Sequence, residues 1–271
     1  MIEAWLAGLF GLLIGSFLNV CIQRMPQELS VVRPRSFCPG CEKPIAWYDN
    51  IPVASYLALG GRCRHCFGRI RWRYPLVEAL TGALFFASVQ NHGMSLVALK
   101  YCVFSALIVG LVFMDLEELI LADEFTLGGT LIGLVLSMWV RFEDGPLHMF
   151  LPPLNQRWLS LAEATFAAAF TAGSLWLVGA LYYRIRKREG LGLGDVKMTA
   201  MIAAFLGLQP ALLALLVGSV LGAAIGLIYI WITRKDASTY ELPFGSFLGV
   251  GALAVAWFAQ PLLRWLTGFP A

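Results

Sequence analysis

The sequence predicts an all-α polytopic membrane protein of about eight transmembrane helices, with a small zinc-bound cytosolic subdomain between helices 1 and 2. Three observations carry that prediction. Hydrophobic residues fill 59% of 271 positions and charged residues only 14%, against about 45–50% and 25% in globular chains. The apolar surplus arrives in blocks separated by compact polar segments, and the basic loop after the first block holds two CxxC pairs. Blocks of this kind exclude intrinsic disorder, collagen-like structure and a water-soluble enzyme domain covering the whole chain. The net charge of +3 is small and clustered beside the blocks, which points to membrane lipid and not to nucleic acid.

A spanning helix needs about 20 mostly apolar residues, because the hydrocarbon core is about 30 Å thick and a helix rises about 1.5 Å per residue. The first such stretch, 2–22, has Glu3 and no Lys or Arg ahead of its apolar run. It also lacks a small-residue cleavage site, so it reads as a retained helix and not as a secretory signal. Seven more follow at 75–89, 96–114, 125–140, 161–183, 196–208, 211–232 and 244–266. The sixth, 196–208, is the marginal one, at only about 20 Å of helix. The organisation is therefore a helix at 1–22, a zinc-binding loop domain at 23–74, and a seven-helix membrane domain at 75–271.

Loops rich in Lys and Arg resist export, so their distribution sets the orientation. Residues 23–73 hold nine of them. With that loop in the cytosol, eight crossings also put Arg184, Arg186, Lys187, Arg188, Lys197, Arg234 and Lys235 on the cytosolic side. The other side receives Lys100, Arg141, Arg157 and Arg264. Sixteen against four supports eight crossings with both termini outside.

The loop carries Cys38-Pro39-Gly40-Cys41 and Cys63-Arg64-His65-Cys66, two knuckles separated by 21 residues. A two-residue spacer lets both sulfurs of a knuckle face one ion, and four thiolates complete a tetrahedral zinc shell. Two disulfides are the competing account, but a cytosolic loop keeps thiols reduced. A closed shell of four cysteines is structural and leaves no position for a reacting water. So short a loop buries little core, and metal binding supplies folding energy to it directly. Cys21 and Cys102 lie in apolar runs and read as packing residues.

Charges at the ends of spanning helices are costly, and two aspartates stand there. Asp115 closes the third apolar stretch, and Asp195 follows Gly192-Leu193-Gly194 at the start of the sixth. Paired carboxylates cleave a peptide without a metal: one is ionised and activates water, while the other is protonated and donates to the carbonyl or the leaving nitrogen. Taken singly, Asp195 reads as a helix cap and Asp115 as a solvated loop acid. The histidines are His65, His92 and His148. None forms an HExxH array or lies where it would activate a serine within a helix, which leaves the aspartyl chemistry. Lys197 is expected to snorkel to lipid phosphates. Glu117, Glu118, Asp123 and Glu124 form a candidate acidic lip, and Gly218, Gly222 and Gly226 a face for close helix packing.

Taken together, these motifs resemble bacterial type IV prepilin peptidases, the bifunctional leader peptidases and N-methyltransferases of pilus and type II secretion systems. The resemblance runs through Gly15-Ser16-Phe17-Leu18-Asn19-Val20-Cys21, both knuckles, Asp49-Asn50-Ile51-Pro52, Arg73-Tyr74-Pro75-Leu76-Val77-Glu78, the Asp115 segment, Gly192-Leu193-Gly194-Asp195-Val196-Lys197 and Leu242-Pro243-Phe244-Gly245. It implies that Asp115 and Asp195 are the catalytic pair of a GxGD aspartyl protease in the bacterial inner membrane, with the site at the cytosolic face. It also implies cleavage of a basic prepilin or pseudopilin leader after glycine, and then methylation of the new amino terminus from S-adenosylmethionine. The methyl donor's pocket is directed to residues 15–78, without individual ligands. Two departures from the family pattern are Leu121-Ala122-Asp123, where Leu-Pro-Asp is common, and Ser246, where proline often follows Phe-Gly. Neither is expected to touch the dyad. A GxGD protease without methyl transfer, and a zinc-stabilised scaffold or transporter, are the alternatives.

Overall fold

The computed structural model describes residues 1–140, 142, 145–149, 155–188, 190–233 and 242–267. Arg141, Arg234 and Lys235, counted above in the charge balance, lie outside the described residues, as do the side chains of His148 and Arg264. Among the described residues there is no strand, and two isolated β-bridges join Phe37 to Pro44 and Arg62 to Arg69. The chain divides into two compact units, Met1–Gly110 and Leu111–Ala271.

The first unit contains α1 (Ile2–Arg24), the short α2 (Ala54–Ala58), α3 (Arg73–His92) and the first part of α4 (Leu96–Glu118). In lipid, apolar side chains gain little by leaving the hydrocarbon, so helices associate where small residues let backbones close up. Gly8, Gly11 and Gly15 supply such a seam on one face of α1. A Cβ added to Gly15 would stand 2.6 Å from Glu78 Cα, and one on Gly11 would stand 2.9 Å from Gly82 Cα. Only glycine permits the α1–α3 contact at these points. Asn19 reinforces it by donating through Nδ2 to the Tyr74 carbonyl at 3.0 Å. Ala4, Val89 and Ala98 form a small apolar cluster flanked by Ala7 and Phe86.

The second unit takes the end of α4, then α5 (Asp123–Ser137), α6 (Gln156–Arg186), α7 (Leu193–Leu206), α8 (Leu208–Thr233) and α9 (Phe244–Thr267). The short α7 is central, packing against α5, α6, α8 and α9. Met198, Met201, Ile202, Ala203, Ala204 and Phe205 are fully buried, as expected of a helix that is apolar all round. The predicted glycine face of α8 lies on α9: a Cβ on Gly218 would meet Leu248 Cα at 2.7 Å.

A helix covers each of the eight apolar stretches, with shifted ends. α4 continues one turn past Met114 to Glu118, and α7 starts at Leu193, so both aspartates lie inside helices and not beyond them. Among the described residues four segments, Ile2–Gln27, Leu96–Glu118, Gln156–Arg186 and Leu208–Thr233, are long and apolar enough to cross a membrane.

Candidate active site and metal centre

Asp115 sits in the last turn of α4, and only 5% of it is exposed. The helix stops four residues later at Leu119, whose φ of 55° turns the chain, and its N–H still reaches the Asp115 carbonyl at 3.0 Å. Gly192 caps α7 in an extended conformation, which brings Asp195 into the first turn. α9 begins at Phe244 after Pro243, in keeping with proline's place at helix starts.

Leu121 packs against the starts of both α7 and α9, and each has a glycine there. A Cβ on Gly194 would lie 3.1 Å from Leu121 Cβ, and one on Gly245 would lie 3.0 Å from Leu121 Cδ1 and 3.2 Å from Asp115 Cγ. The two carboxylates lie within coulombic reach of one another, although 80 positions separate them along the chain. The second unit therefore brings together the acid pair that the sequence singled out.

Two expectations about this neighbourhood are corrected. Ser246 does touch Asp115: its N–H donates to Asp115 Oδ2 at 2.6 Å, and its Oγ lies 2.7 Å from the same oxygen. The contact arises because the first turn of α9 abuts the last turn of α4, a pairing across 131 positions that no local pattern reveals. Lys197, read from the sequence as a snorkelling group, has a partner within the protein. Its Nζ pairs with Asp123 at 2.7 and 2.9 Å, so one of the four acids of the candidate lip is already neutralised and ties α7 to α5.

In the first unit the two knuckles have the same local fold. Cys38 N–H donates to Lys43 O at 3.0 Å and Glu42 N–H to Cys38 O at 2.8 Å; Cys63 N–H donates to Gly68 O at 2.9 Å and Phe67 N–H to Cys63 O at 3.0 Å. Glu42 and Phe67, each four residues past its first cysteine, both have φ of 57°. The repeated turn aims all four sulfurs inward, and the Sγ atoms of Cys38, Cys41, Cys63 and Cys66 lie within 4.8 Å of one another.

Crowding splits the acidities of the second knuckle's two thiols. The amide N–H groups of Cys66 and His65 hold the Cys63 thiol down at about 6. Against the lowering pull of the Gly68 N–H, burial and the thiols of Cys63, Cys38 and Cys41 push Cys66 up to about 11. Four thiolates crowd together comfortably only around a positive ion. The donor set fits zinc in number, softness and spacing. Cys21 and Cys102 are buried, as packing residues should be.

The remaining motifs of this unit also meet. Asp49 Oδ1 accepts from Arg64 Nη2 at 2.6 Å, and Oδ2 from Nε at 2.8 Å, joining the Asp49–Pro52 turn to the second knuckle. Glu78 Oε2 then accepts the Val53 N–H at 2.7 Å. That bond holds Val53 at a φ of 58°, a strained conformation for a β-branched residue. Asp49 and Glu78 stand out in the sequence only as motif residues, because partners 15 and 25 positions away leave no local pattern. A cavity of about 300 Å3 lies beside the C-terminal half of α1, with apolar walls from Leu13, Phe17 and Val20 and polar ones including Ser16, Arg24 and Asn50.

Comparison with known proteins bears on both units. Residues 9–92 match the Bacterial Peptidase A24 N-terminal domain and residues 101–227 the Type IV leader peptidase family. The chain is similar to a protein of Myxococcus xanthus named Prepilin leader peptidase/N-methyltransferase, at 38% identity over 93% of this chain and 71% of the relative. It is 33% identical to the like-named protein of Legionella pneumophila, over 97% of this chain and 93% of that one. The like-named protein of Pseudomonas putida is also 33% identical, over 93% and 90% of the two chains. No solved structure matches the chain.

Proposed function

The chain belongs to the type IV leader peptidase family, and from that premise we propose that Asp115 and Asp195 are the catalytic pair of an interfacial aspartyl endopeptidase. It is an enzyme, a prepilin-processing peptidase with N-methyltransferase activity. The observation that carries the assignment is the convergence of two carboxylates on adjoining helix ends, one of them only 5% exposed. One carboxylate is ionised and takes a proton from water as that water attacks the scissile carbonyl. The other carries a proton and gives it to the carbonyl oxygen or the leaving nitrogen. Gly192, Gly194 and Gly245 leave the backbone bare beside the pair, which suits an extended substrate strand.

The membrane reading places eight crossings in the bacterial inner membrane, with both termini outside and loop 23–74 in the cytosol. A prepilin's basic leader then stays in the cytosol while its apolar helix lies in the bilayer, so the scissile glycine peptide bond falls at the interface. Glu117, Glu118 and Glu124 supply negative charge there, an attraction that salt weakens.

Zinc, held by Cys38, Cys41, Cys63 and Cys66, organises the loop domain and takes no part in hydrolysis. S-adenosylmethionine supplies an electrophilic methyl group when bound. The 300 Å3 cavity of the first unit suits such a ligand in wall chemistry and sits at the lower end of the usual size for small-molecule pockets, about 300–1,000 Å3.

The test is purified protein incubated with a prepilin peptide, with and without S-adenosylmethionine, followed by mass analysis. Cleavage after glycine without the donor, and a further methylated product with it, are expected. Asp115→Asn and Asp195→Asn should each abolish cleavage in protein that is still folded and inserted; cleavage surviving either change removes the pair from the mechanism. Cleavage with no methylated product would leave a GxGD protease alone.

A further inference from the structure

We propose that Ser246 is a positioning residue that keeps Asp115 as the ionised, water-activating member of the pair and so leaves Asp195 as the proton donor. The inference rests on the catalytic reading above and concerns the division of labour within it. Ser246 occupies the third position of α9, and 3% of it is exposed. Two of its groups converge on one oxygen: the N–H at 2.6 Å and the hydroxyl at 2.7 Å from Asp115 Oδ2.

The hydrogens decide what this arrangement favours. A backbone N–H can only donate, and the oxygen of a protonated carboxyl that bears the proton is a poor acceptor. Two short donors on Oδ2 therefore favour the ionised form. The positive end of α9 adds to the effect, since the N–H belongs to its first turn. Asp195 is less well supplied: it too lies in the first turn of a helix, α7, and a backbone N–H, that of Gly192, reaches its carboxyl, but among the described residues no side chain donates a hydrogen bond to it. Its Oδ2 lies over Gly192, where an added Cβ would be 3.4 Å away.

The Ser246 hydroxyl also has a second acceptor, the Val112 carbonyl at 3.0 Å. It carries one hydrogen and cannot serve both at once. While Asp115 is ionised, that hydrogen points at Oδ2. The proton that Asp115 takes from the attacking water goes to Oδ1, the oxygen without these two donors, so Oδ2 keeps both of them. Ser246 thus fixes the orientation of the carboxyl, with Oδ1 turned to the water, throughout the step.

The experiment compares the pH dependence of kcat/KM for prepilin peptide cleavage in the parent, Ser246→Ala, Ser246→Thr and Asp115→Asn proteins. Loss of the hydroxyl in Ser246→Ala should move the acid limb of the profile upward by about one pH unit, from the usual strength of a hydrogen bond to a charged group. It should lower kcat about tenfold at the acid end, with KM within twofold. Ser246→Thr, which keeps the hydroxyl, should restore the parent limb. An acid limb unmoved in Ser246→Ala overturns the proposal, as does equal loss in the Ala and Thr variants at every pH. If Asp115→Asn still cleaves, the catalytic pair itself falls. If it is inactive while the Ala profile is unchanged, only the role of Ser246 falls.

Discussion

Arg64 grips both oxygens of Asp49, and the consequence is a carboxyl held below the usual carboxylate range by those hydrogen bonds. A folded value lowered in this way contributes stability above the unfolded pKa of about 3.9, and the contribution is lost as pH falls through the folded value. The carbon-13 carboxyl signal of Asp49 should therefore titrate below that figure in the parent and return to it in Arg64→Ala. A midpoint unchanged by the substitution would mean the pair does not persist in solution. At this scale the sequence was legible for residue type and silent on partners. The Lys197–Asp123 pair and the Ser246–Asp115 contact each join residues more than 70 positions apart. Composition places such groups near a membrane surface, but only packing decides which of them meet.

The helices themselves were legible because hydrophobic blocks of bilayer length are a local property of the chain. Their ends were not. α4 runs through Asp115 and α7 begins before Asp195 because a helix continues wherever backbone hydrogen bonding and capping allow, whatever the hydropathy of the next residue. The glycine pattern of α8 marks its packing face in the sequence, and the closer-spaced Gly8, Gly11 and Gly15 of α1 carry the same signal in a less regular form. A paired substitution tests the α1–α3 seam. Gly15→Ala places a methyl 2.6 Å from Glu78 Cα and 3.0 Å from the Val77 carbonyl, against backbone that yields only by moving a helix. The expected loss is about 1–3 kcal/mol, the usual range for overpacking. Gly128→Ala in α5 meets nothing within 4 Å and should gain up to about 1 kcal/mol from helix propensity. Thermal unfolding in detergent should move the two midpoints in opposite directions; a neutral Gly15→Ala would mean the seam is looser than described.

For the whole molecule, the division at Gly110 separates the cysteine cluster from the acid pair. All described hydrogen bonds to the Asp115 carboxylate come from residues of the second unit. Stripping the metal with a chelator should accordingly expose loop 23–74 to protease and abolish methyl transfer, while hydrolysis of the leader persists. Simultaneous loss of both activities at the rate of metal release would show that hydrolysis also depends on the loop. Neither the two-unit division nor the central place of α7 could be read from the chain, because both emerge from long-range packing. The charge count of sixteen to four says only on which side each loop lies.

α6 and α7 pack side by side with 31 and 14 residues, or about 46 and 21 Å of helix. α7 is enclosed by α5, α6, α8 and α9, so lipid meets the longer helices around it and never the short one itself. Bilayer thickness then reaches the site only through outer helices such as the 31-residue α6: vesicles of phosphatidylcholine too thin for that helix should tilt it and slow peptide cleavage, and lengthening the acyl chains should restore the rate.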